Sequence, residues 1–317
     1  MIHRFTPKIY YNTYGRNEPA LHVKPGDTII TTTVDAGGND RYSNPIDEDM
    51  RQKIPGTTLN RSNPLTGPFY IEDSEEGDTL VVEILKINLN RPSAYSAILP
   101  GFGSLTEEIP GRSLLLNEPM TRKRYEWELD LVKNQGHLVI PNSRIGELTI
   151  PLHPFIGSIG VAPRFGRVEM SLTPGEYGGN LDCVETKEDT ILHLPVFAEG
   201  GYLVLGDIHA AQGDGEMCGV ALETTAEVHL KVDLIKNEQI EWPRLMDKDW
   251  IMVAGSGRPL MEAYKIGHVE LIKWLCDDYG FDKLDAIQVL SQVGRCRVGN
   301  VVDPNYTVVA KFPRKFL

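Results

Sequence analysis

Alternation of apolar and polar residues predicts strands through most of the chain. Within residues 226–235, Val228, Leu230 and Val232 are separated by polar residues, and this period of two places one face of a strand in a core. Short β-branched or apolar runs predict further strands, at 138–140, 191–196 and 306–312. Three longer segments begin with a glycine-containing turn and continue with β-forming residues, at 24–36, 75–89 and 198–210.

Helical periodicity is confined to the C-terminal part of the sequence. Residues 259–280 begin with a proline, carry apolar residues at helical spacing and end with a glycine, which is the usual order at helix termini. A second helix is predicted within residues 282–294, between an aspartate suited to the N-cap and a glycine after the last turn. We expect its apolar face to contain Ile287, Leu290 and Val293.

Composition agrees with this pattern and limits the domain organisation. The 317 residues include 30 glycines and 21 prolines, as expected for many turns between short strands. The sequence predicts a mainly β fold with sandwich-like sheets and a smaller α/β C-terminal portion. We expect a β-rich core over residues 1–255, with the C-terminal helices and final strand of residues 256–317 packed on it.

Charge and cysteine usage favour small or cationic partners. The formal net charge is −12 and no basic stripe is present, which argues against nucleic acid and anionic membranes as partners. The sequence has no apolar run of about 18 residues and no apolar N-terminal segment of signal-peptide length. No pair of the 4 cysteines has C-x-x-C spacing. We therefore expect a soluble cytoplasmic protein, assembled as a homodimer or higher homo-oligomer that covers its edge strands.

The sequence GDIHAAQGDGEMCG, residues 206–219, concentrates groups that can bind a metal, attack a substrate or form a turn. Asp207 and His209 are two residues apart at the end of a predicted strand, so their side chains share one face. Carboxylate oxygen and imidazole nitrogen are ordinary ligands of divalent ions. Asp214 and Glu216 follow in a glycine-rich loop, where a carboxylate is suited to act as a general base.

The same loop leaves other interpretations open. Cys218 is a candidate nucleophile, although a cysteine in such a setting is more often a small packing residue. Gly213 and Gly215 permit a tight turn whose backbone N–H groups are suited to hold an oxyanion. The segment is also compatible with a structural, hydrogen-bonded turn.

Further polar groups occur where predicted strands end. Asn180 and Asp182 form a second pair two residues apart, Asp35 ends a strand before a glycine turn, and His153 precedes a proline. Each is more often structural than catalytic, but strand ends are where binding clefts are usually built. Residues 60–78 are interpreted as a long turn-rich loop.

Four motifs, in order, resemble those of the acetamidase/formamidase family of amide hydrolases: NPLTGPFYIEDSEEGDTL, HPFIGSIGVAP, GGNLD and GDIHAAQGDGEMCG. The resemblance extends from about residue 26 to residue 235. It implies a β-rich fold and hydrolysis of the C–N bond of small linear amides, such as formamide or acetamide, with release of ammonia. It also implies a divalent metal, with zinc as the first expectation and calcium as the alternative.

These observations combine into one hypothesis with two alternatives. The hypothesis assigns metal binding to Asp207, His209, Asp182 and Asp35, general-base catalysis to Glu216 or Asp214, and substrate binding to His153, Asn180, Gly213 and Gly215. The first alternative is an amidase that uses Cys218 as its nucleophile. The second is a protein that binds a metal or small ligand without catalysis.

Overall fold

Two large β-sheets dominate the regular structure of the protein in the computed structural model, which describes residues 1–54, 63–105 and 121–317. Strands and helices are numbered along the chain. Among the described residues the first sheet contains nine strands, in the spatial order β1 (Ile2–Phe5), β4 (Thr28–Thr32), β17 (Ala226–Ile235), β6 (Thr79–Leu89), β14 (Thr190–Pro195), β18 (Arg244–Met246), β19 (Trp250–Gly257), β21 (Tyr306–Pro313) and β20 (Arg295–Asn300). Neighbouring strands are antiparallel except for the parallel pair β1 and β4.

The second sheet contains the strand that carries the Asp-x-His motif. Within the described ranges its main path is β10 (Gly146–Pro151), β9 (Gln135–Ile140), β8 (Lys123–Asp130), β7 (Ser93–Ile98), β16 (Glu223–Thr224), β15 (Leu203–His209), β11 (Phe155–Gly160) and β13 (Gly178–Asn180). Off this path, β5 (Leu65–Ile71) pairs with β15, and β3 (Leu21–Val23) pairs with β5. A small separate sheet joins β2 (Thr13–Tyr14) to β12 (Glu169–Met170).

One hydrophobic core lies between the two sheets. It includes Val82 of β6 and Leu230 of β17 from the first sheet, together with Ile159 of β11 and Leu205 of β15 from the second. Burial of apolar side chains from both sheets in one cluster is the arrangement of a sandwich. The predicted mainly β, sandwich-like fold is therefore confirmed, including the alternation in β17 that buries Val228, Leu230 and Val232.

Both α-helices of the described chain lie near the C-terminus, as predicted. Helix α1 (Leu260–Tyr279) packs on β19 and β21, and α2 (Lys283–Val293) follows it with the side chain of Asp282 as N-cap. The predicted apolar face of α2 is only partly right: Leu290 is buried, but Ile287 is 43% exposed. Neither helix has the length and apolar character needed to cross a bilayer.

The predicted loop at residues 60–78 is wrong in its central part, where a strand replaces it. Residues 60–62 lie outside the described ranges, but Leu65–Ile71 forms β5, with Leu65, Phe69 and Ile71 buried in the core. The glycine and proline residues of this segment predicted turns, whereas pairing with β15 and β3 holds it extended. The expected homo-oligomer stays a prediction, which light scattering of the purified protein will check.

Candidate active site

Asp207 and His209 lie at the end of β15, where three buried side chains converge. His209 Nε2 is 3.3 Å from Asp207 Oδ1 and 3.4 Å from Glu223 Oε1, without the angles of a hydrogen bond. Glu223 is in β16, directly opposite His209 in the antiparallel pairing. All three side chains are at most 3% exposed. The strand pairing thus places two carboxylates against one imidazole.

The loop between β15 and β16 adds a further carboxylate. Glu216 is buried, and one of its oxygens lies with ligand atoms of Asp182 and His209 in a group whose members are within 4.8 Å of one another. Glu216 and Asp207 both have positive φ, 49° and 58°, as does Asp182 at 45°. Such a backbone is strained for residues other than glycine, and strain of this kind concentrates at functional sites.

A second group of polar side chains joins the site from β13 and from the C-terminal part of the chain. Asn180 Nδ2 donates to Asp182 Oδ2 at 2.7 Å and to Asp303 Oδ2 at 2.8 Å. Asn180 Oδ1 accepts from Ser158 Oγ and from Asn63 Nδ2. We call Asp182, Asp207, His209, Glu216, Glu223 and Asp303 together the acidic cluster.

Gly157 of β11 makes room for this cluster. A Cβ at this position would lie 2.8 Å from both Asp182 Oδ1 and Asp207 Oδ2, closer than real side chains approach. The pairing of β11 with β15 is regular on either side, at Ile156 and Ser158, and is interrupted opposite Asp207. The missing side chain and the interrupted ladder let the two carboxylates approach each other.

Gln212 fixes the tautomer of His209. Gln212 Nε2 donates to the backbone oxygens of Asp182 and Gly299, at 2.9 and 3.0 Å, which identifies its Oε1 as the atom facing the imidazole. His209 Nδ1 lies 2.9 Å from that oxygen and therefore carries the proton. In the neutral ring, Nε2 then presents its lone pair to Asp207 and Glu223, as a metal-binding histidine does.

The electrostatics of the cluster favour a bound cation. Burial, followed by repulsion between carboxylates, raises the pKa values of Asp182 and Asp303 well above the usual range. Burial also raises the pKa of Glu216, to about 7, with His209 opposing this and Asp207 adding to it. Burial lowers the pKa of His209, but Glu223 and Asp207 outweigh it and hold this pKa well above its ordinary value. The cluster therefore attracts either protons or a metal ion.

The ligand atoms themselves fit a divalent metal. Within the acidic cluster, four buried atoms have no hydrogen-bond partner among the described residues: Asp182 Oδ1, Asp207 Oδ1, His209 Nε2 and Glu223 Oε2. Buried polar atoms are nearly always paired, so several orphans around one imidazole need an explanation. Neighbouring ligand atoms of a tetrahedral zinc ion are about 3.3 Å apart, given bonds of about 2.0–2.1 Å. The 3.3 Å from His209 Nε2 to the unpartnered Asp207 Oδ1 matches that spacing. Glu223 comes to 3.4 Å from the same nitrogen through Oε1, the oxygen that also accepts from the backbone N of Ala221.

Comparison with known proteins identifies the family of the chain. The model of the acetamidase/formamidase family matches residues 9–171 and 167–317. The chain belongs to this family. The family resemblance seen in the sequence is therefore confirmed.

Individual family members are similar over most of the chain. The crystal structure of an acetamidase from Yersinia enterocolitica is 37% identical, has a TM-score of 0.86, and covers 100% of this chain and 93% of its own. An acetamidase from Bacillus halodurans is 31% identical with a TM-score of 0.80, covering 99% and 98%. A formamidase from Methylophilus methylotrophus is 28% identical over 68% of this chain and 61% of its own length, so the aligned chain spans less than two thirds of that relative.

Several residues suggested by the sequence lie outside the acidic cluster. Asp214 is 59% exposed and pairs with Arg297 at 2.7 Å, because the turn at Gly215 directs it away from Glu216. His153 is exposed. Gly213 is also exposed, and the N–H of Gly215 donates to Val298 O, so this N–H is not available to a substrate. Cys218 is exposed rather than packed in the core.

Asp35 is buried but has a different role from the predicted one. Its Oδ2 accepts from Arg91 at 2.8 Å, and its Oδ1 accepts from the backbone N of Asn39 at 2.8 Å. Arg91 also donates to the backbone oxygen of Glu223 at 3.3 Å. With both oxygens occupied, Asp35 does not join the acidic cluster and instead holds the arginine that braces Glu223.

Glu223 and Asp303 were missed from the sequence. Glu223 pairs with His209 across a hairpin centred on Glu216. Counting equal numbers of residues on either side of Glu216 would therefore have predicted Glu223 as the partner of His209. Asp303 lies in the connection between β20 and β21, far along the chain, and no local pattern marks it. The structure thus retains Asp182, Asn180, Asp207, His209 and Glu216 from the predicted set and adds these two carboxylates.

Proposed function

We propose that the protein hydrolyses the C–N bond of small linear amides to a carboxylate and ammonia, with a divalent metal ion bound by the acidic cluster. The observation that carries this proposal is the set of unpartnered, buried ligand atoms around His209 Nε2 in a member of the acetamidase/formamidase family. The names formamidase and acetamidase of its relatives support linear amides as the substrate class.

The donor set favours zinc over calcium. Asp207, His209 and Glu223 would hold the ion, with Asp182 as a further carboxylate in reach. Calcium prefers six to eight oxygen ligands, whereas an imidazole nitrogen with carboxylates is common for zinc. A divalent ion here supplies Lewis-acid polarisation of the amide carbonyl and of a water molecule.

Glu216 is the residue best placed to move protons. Its buried carboxyl has a pKa of about 7, close to the pH at which a general base works most efficiently. We assign it the removal of a proton from the attacking water and its delivery to the departing nitrogen. Delivery is required because an amide anion is far too basic to leave unprotonated. Asp214, the other predicted base, is exposed and paired with Arg297.

Ammonia release by the purified protein tests this function. We expect release from formamide or acetamide by the zinc-loaded protein, loss of release after chelation, and recovery when Zn²⁺ is returned. Metal-free protein that keeps its full rate would contradict the metal requirement. No release from any small amide with Zn²⁺, Mn²⁺ or Ca²⁺ would contradict the hydrolase and favour a binding protein.

The cysteine alternative has its own test. Cys218 is exposed, and none of the contacts within the acidic cluster described above involves it. We therefore expect Cys218→Ala to keep the wild-type rate of ammonia release. A variant that folds normally but loses turnover would favour an acyl-enzyme mechanism instead.

A further inference from the structure

Glu216, the proposed general base, has a backbone that needs support from its surroundings. Its φ of 49° lies in the left-handed region, which is unfavourable for residues other than glycine. Such a conformation persists only where neighbouring contacts enforce it. Glu216 is also the most exposed member of the acidic cluster, at 8% against at most 2% for the other five. The position of its carboxyl group therefore depends on how the surrounding loop is held.

The part of the loop before Glu216 is held by the edge strand of the first sheet. Gly215 N donates to Val298 O at 2.9 Å, and Val301 N donates to Gly215 O at 3.1 Å. Val298 lies in β20 and Val301 directly follows it, so these bonds attach the loop to the strand as a short parallel bridge. The backbone is thus fixed as far as Gly215.

The part of the loop after Glu216 is held by residues 102–104, which follow β7. Met217 O accepts two hydrogen bonds from Ser104, one from the backbone N at 2.9 Å and one from Oγ at 3.2 Å. At Gly103, whose φ is 114°, an added Cβ would lie 3.0 Å from both Met217 O and Cys218 O. The backbone of residues 102–104 therefore lies directly against the loop, with a glycine at the closest approach.

The side chain of Phe102 extends this contact to the end of the turn. An added Cβ at Gly219 would come 2.6 Å from Phe102 Cδ1 and 3.0 Å from Val302 Cγ1, so both side chains pack against Gly219. The N–H of Gly219 donates to Glu216 O at 2.7 Å. The Phe102 ring therefore presses on the residue that closes the turn at Glu216.

We propose that residues 102–104 position Glu216 for proton transfer, because they hold the loop after it while β20 holds the loop before it. The inference rests on the proposed amide hydrolysis with Glu216 as its base. Residues 102–104 are half-buried and lie outside the strands and helices, so their contact can be weakened without disturbing either sheet. A misplacement of about 1 Å at a reacting group can cost on the order of 100-fold in rate.

Two glycine-to-alanine variants, two residues apart, test this contact. In Gly103→Ala the new methyl group meets Met217 O, whereas in Gly101→Ala, also at a positive φ of 71°, it meets open space. For Gly103→Ala we expect kcat on formamide or acetamide to fall by about 10- to 100-fold, with KM and zinc content unchanged. For Gly101→Ala we expect kcat within about twofold of the wild type. Both variants should show a similar small decrease in Tm, because both strain the backbone.

Combination with Glu216→Gln shows whether residues 102–104 act through the base. If they do, Gly103→Ala should lower kcat much less in the Glu216→Gln protein than in the wild type, because the displaced side chain no longer accepts a proton. Phe102→Ala removes the ring from Gly219 without straining the backbone. It should give a smaller loss of kcat that also depends on Glu216.

Three results would overturn the inference. The first is a kcat of Gly103→Ala within about twofold of the wild type, and the second is an equal loss in Gly101→Ala, which would attribute the effect to local backbone strain. The third is the same fold-loss from Gly103→Ala with and without Glu216→Gln, since the contact would then act on something other than the base. If the wild type itself releases no ammonia from any small amide, the proposed function fails and this inference fails with it.

Discussion

Replacing Gln212 by methionine tests whether the orientation of His209 supports the metal binding proposed for the acidic cluster. Methionine has a similar length but no hydrogen-bonding groups of comparable strength. The variant therefore loses the bonds to His209 Nδ1 at 2.9 Å, Asp182 O at 2.9 Å and Gly299 O at 3.0 Å. The imidazole is then free to rotate or to adopt the other tautomer, in which Nε2 carries the proton and no longer binds a metal.

The expected magnitudes follow from these lost bonds. An unpaired buried polar group costs about 1–3 kcal/mol, and because Gln212 is only half-buried the lower end applies to each partner. The free energy of unfolding of the metal-free protein should fall by roughly 3 kcal/mol. Loss of the group that orients a metal-binding histidine typically weakens affinity about 10- to 100-fold. We expect the zinc Kd to rise by that factor.

Two further variants make the reasoning refutable. Gln212→Glu keeps an acceptor for His209 Nδ1 but loses the donors to both backbone oxygens, so it should lose stability and keep most of the zinc affinity. Gln52 has comparable hydrogen bonds to Asn12 N, Thr13 Oγ1 and other groups, so Gln52→Met should lose stability alone. Zinc Kd is measured by competition with a chromophoric chelator, and stability by urea unfolding. If Gln212→Met kept the zinc Kd of the wild type, or if Gln212→Glu bound zinc more weakly than Gln212→Met, Gln212 would not act by fixing the tautomer of His209.

Three other predictions concern the base, the space around the cluster and its support. Glu216→Gln should lower kcat by about 10²- to 10⁴-fold, whereas the control Asp214→Asn should leave kcat unchanged. The kcat/KM of the wild type should rise as pH increases through about 7, because Glu216 then loses its proton and can act as a base. Gly157→Ala should abolish zinc binding measured by elemental analysis, while Gly213→Ala, with open space around its Cβ, should not. Arg91→Met should lower the free energy of unfolding by about 3–5 kcal/mol in urea titrations, because it leaves the buried carboxylate of Asp35 without its cation. A loss of less than about 1 kcal/mol would contradict a stabilising role for this buried ion pair.

Local patterns predicted the parts of the site that depend on local geometry. Asp207 and His209 share a face because residues two apart in a strand do so, and the structure brings them within 3.3 Å. Of the two loop carboxylates offered as general base, only Glu216 reaches the acidic cluster, whereas Asp214 is exposed. The φ of 82° at Gly215 and of 49° at Glu216 send the two carboxylates to opposite environments.

The remaining features of the candidate site depend on contacts between residues that are distant in the sequence. Asp35 was correctly placed at a strand end before a turn, but its role depends on Arg91, 56 residues further along the chain. Asp303 is 123 residues from Asn180, its hydrogen-bond partner. Periodicity and motif spacing carry no information at such separations. The positions of Asp35 and Asp303 are set by how the strands pair across the two sheets, so only the folded structure shows which partners they meet.

The position of Asp303 has a consequence for how the protein is made. Asp182, Asp207, Glu216 and Glu223 are all synthesised before Asp303, which enters the site only when β20 and β21 have paired at one edge of the first sheet. Closing so long a loop is entropically costly and slow. A nascent chain therefore carries an incomplete acidic cluster until its last strands dock. We expect folding to be gated by that docking step, and the proposed metal ion to bind after it.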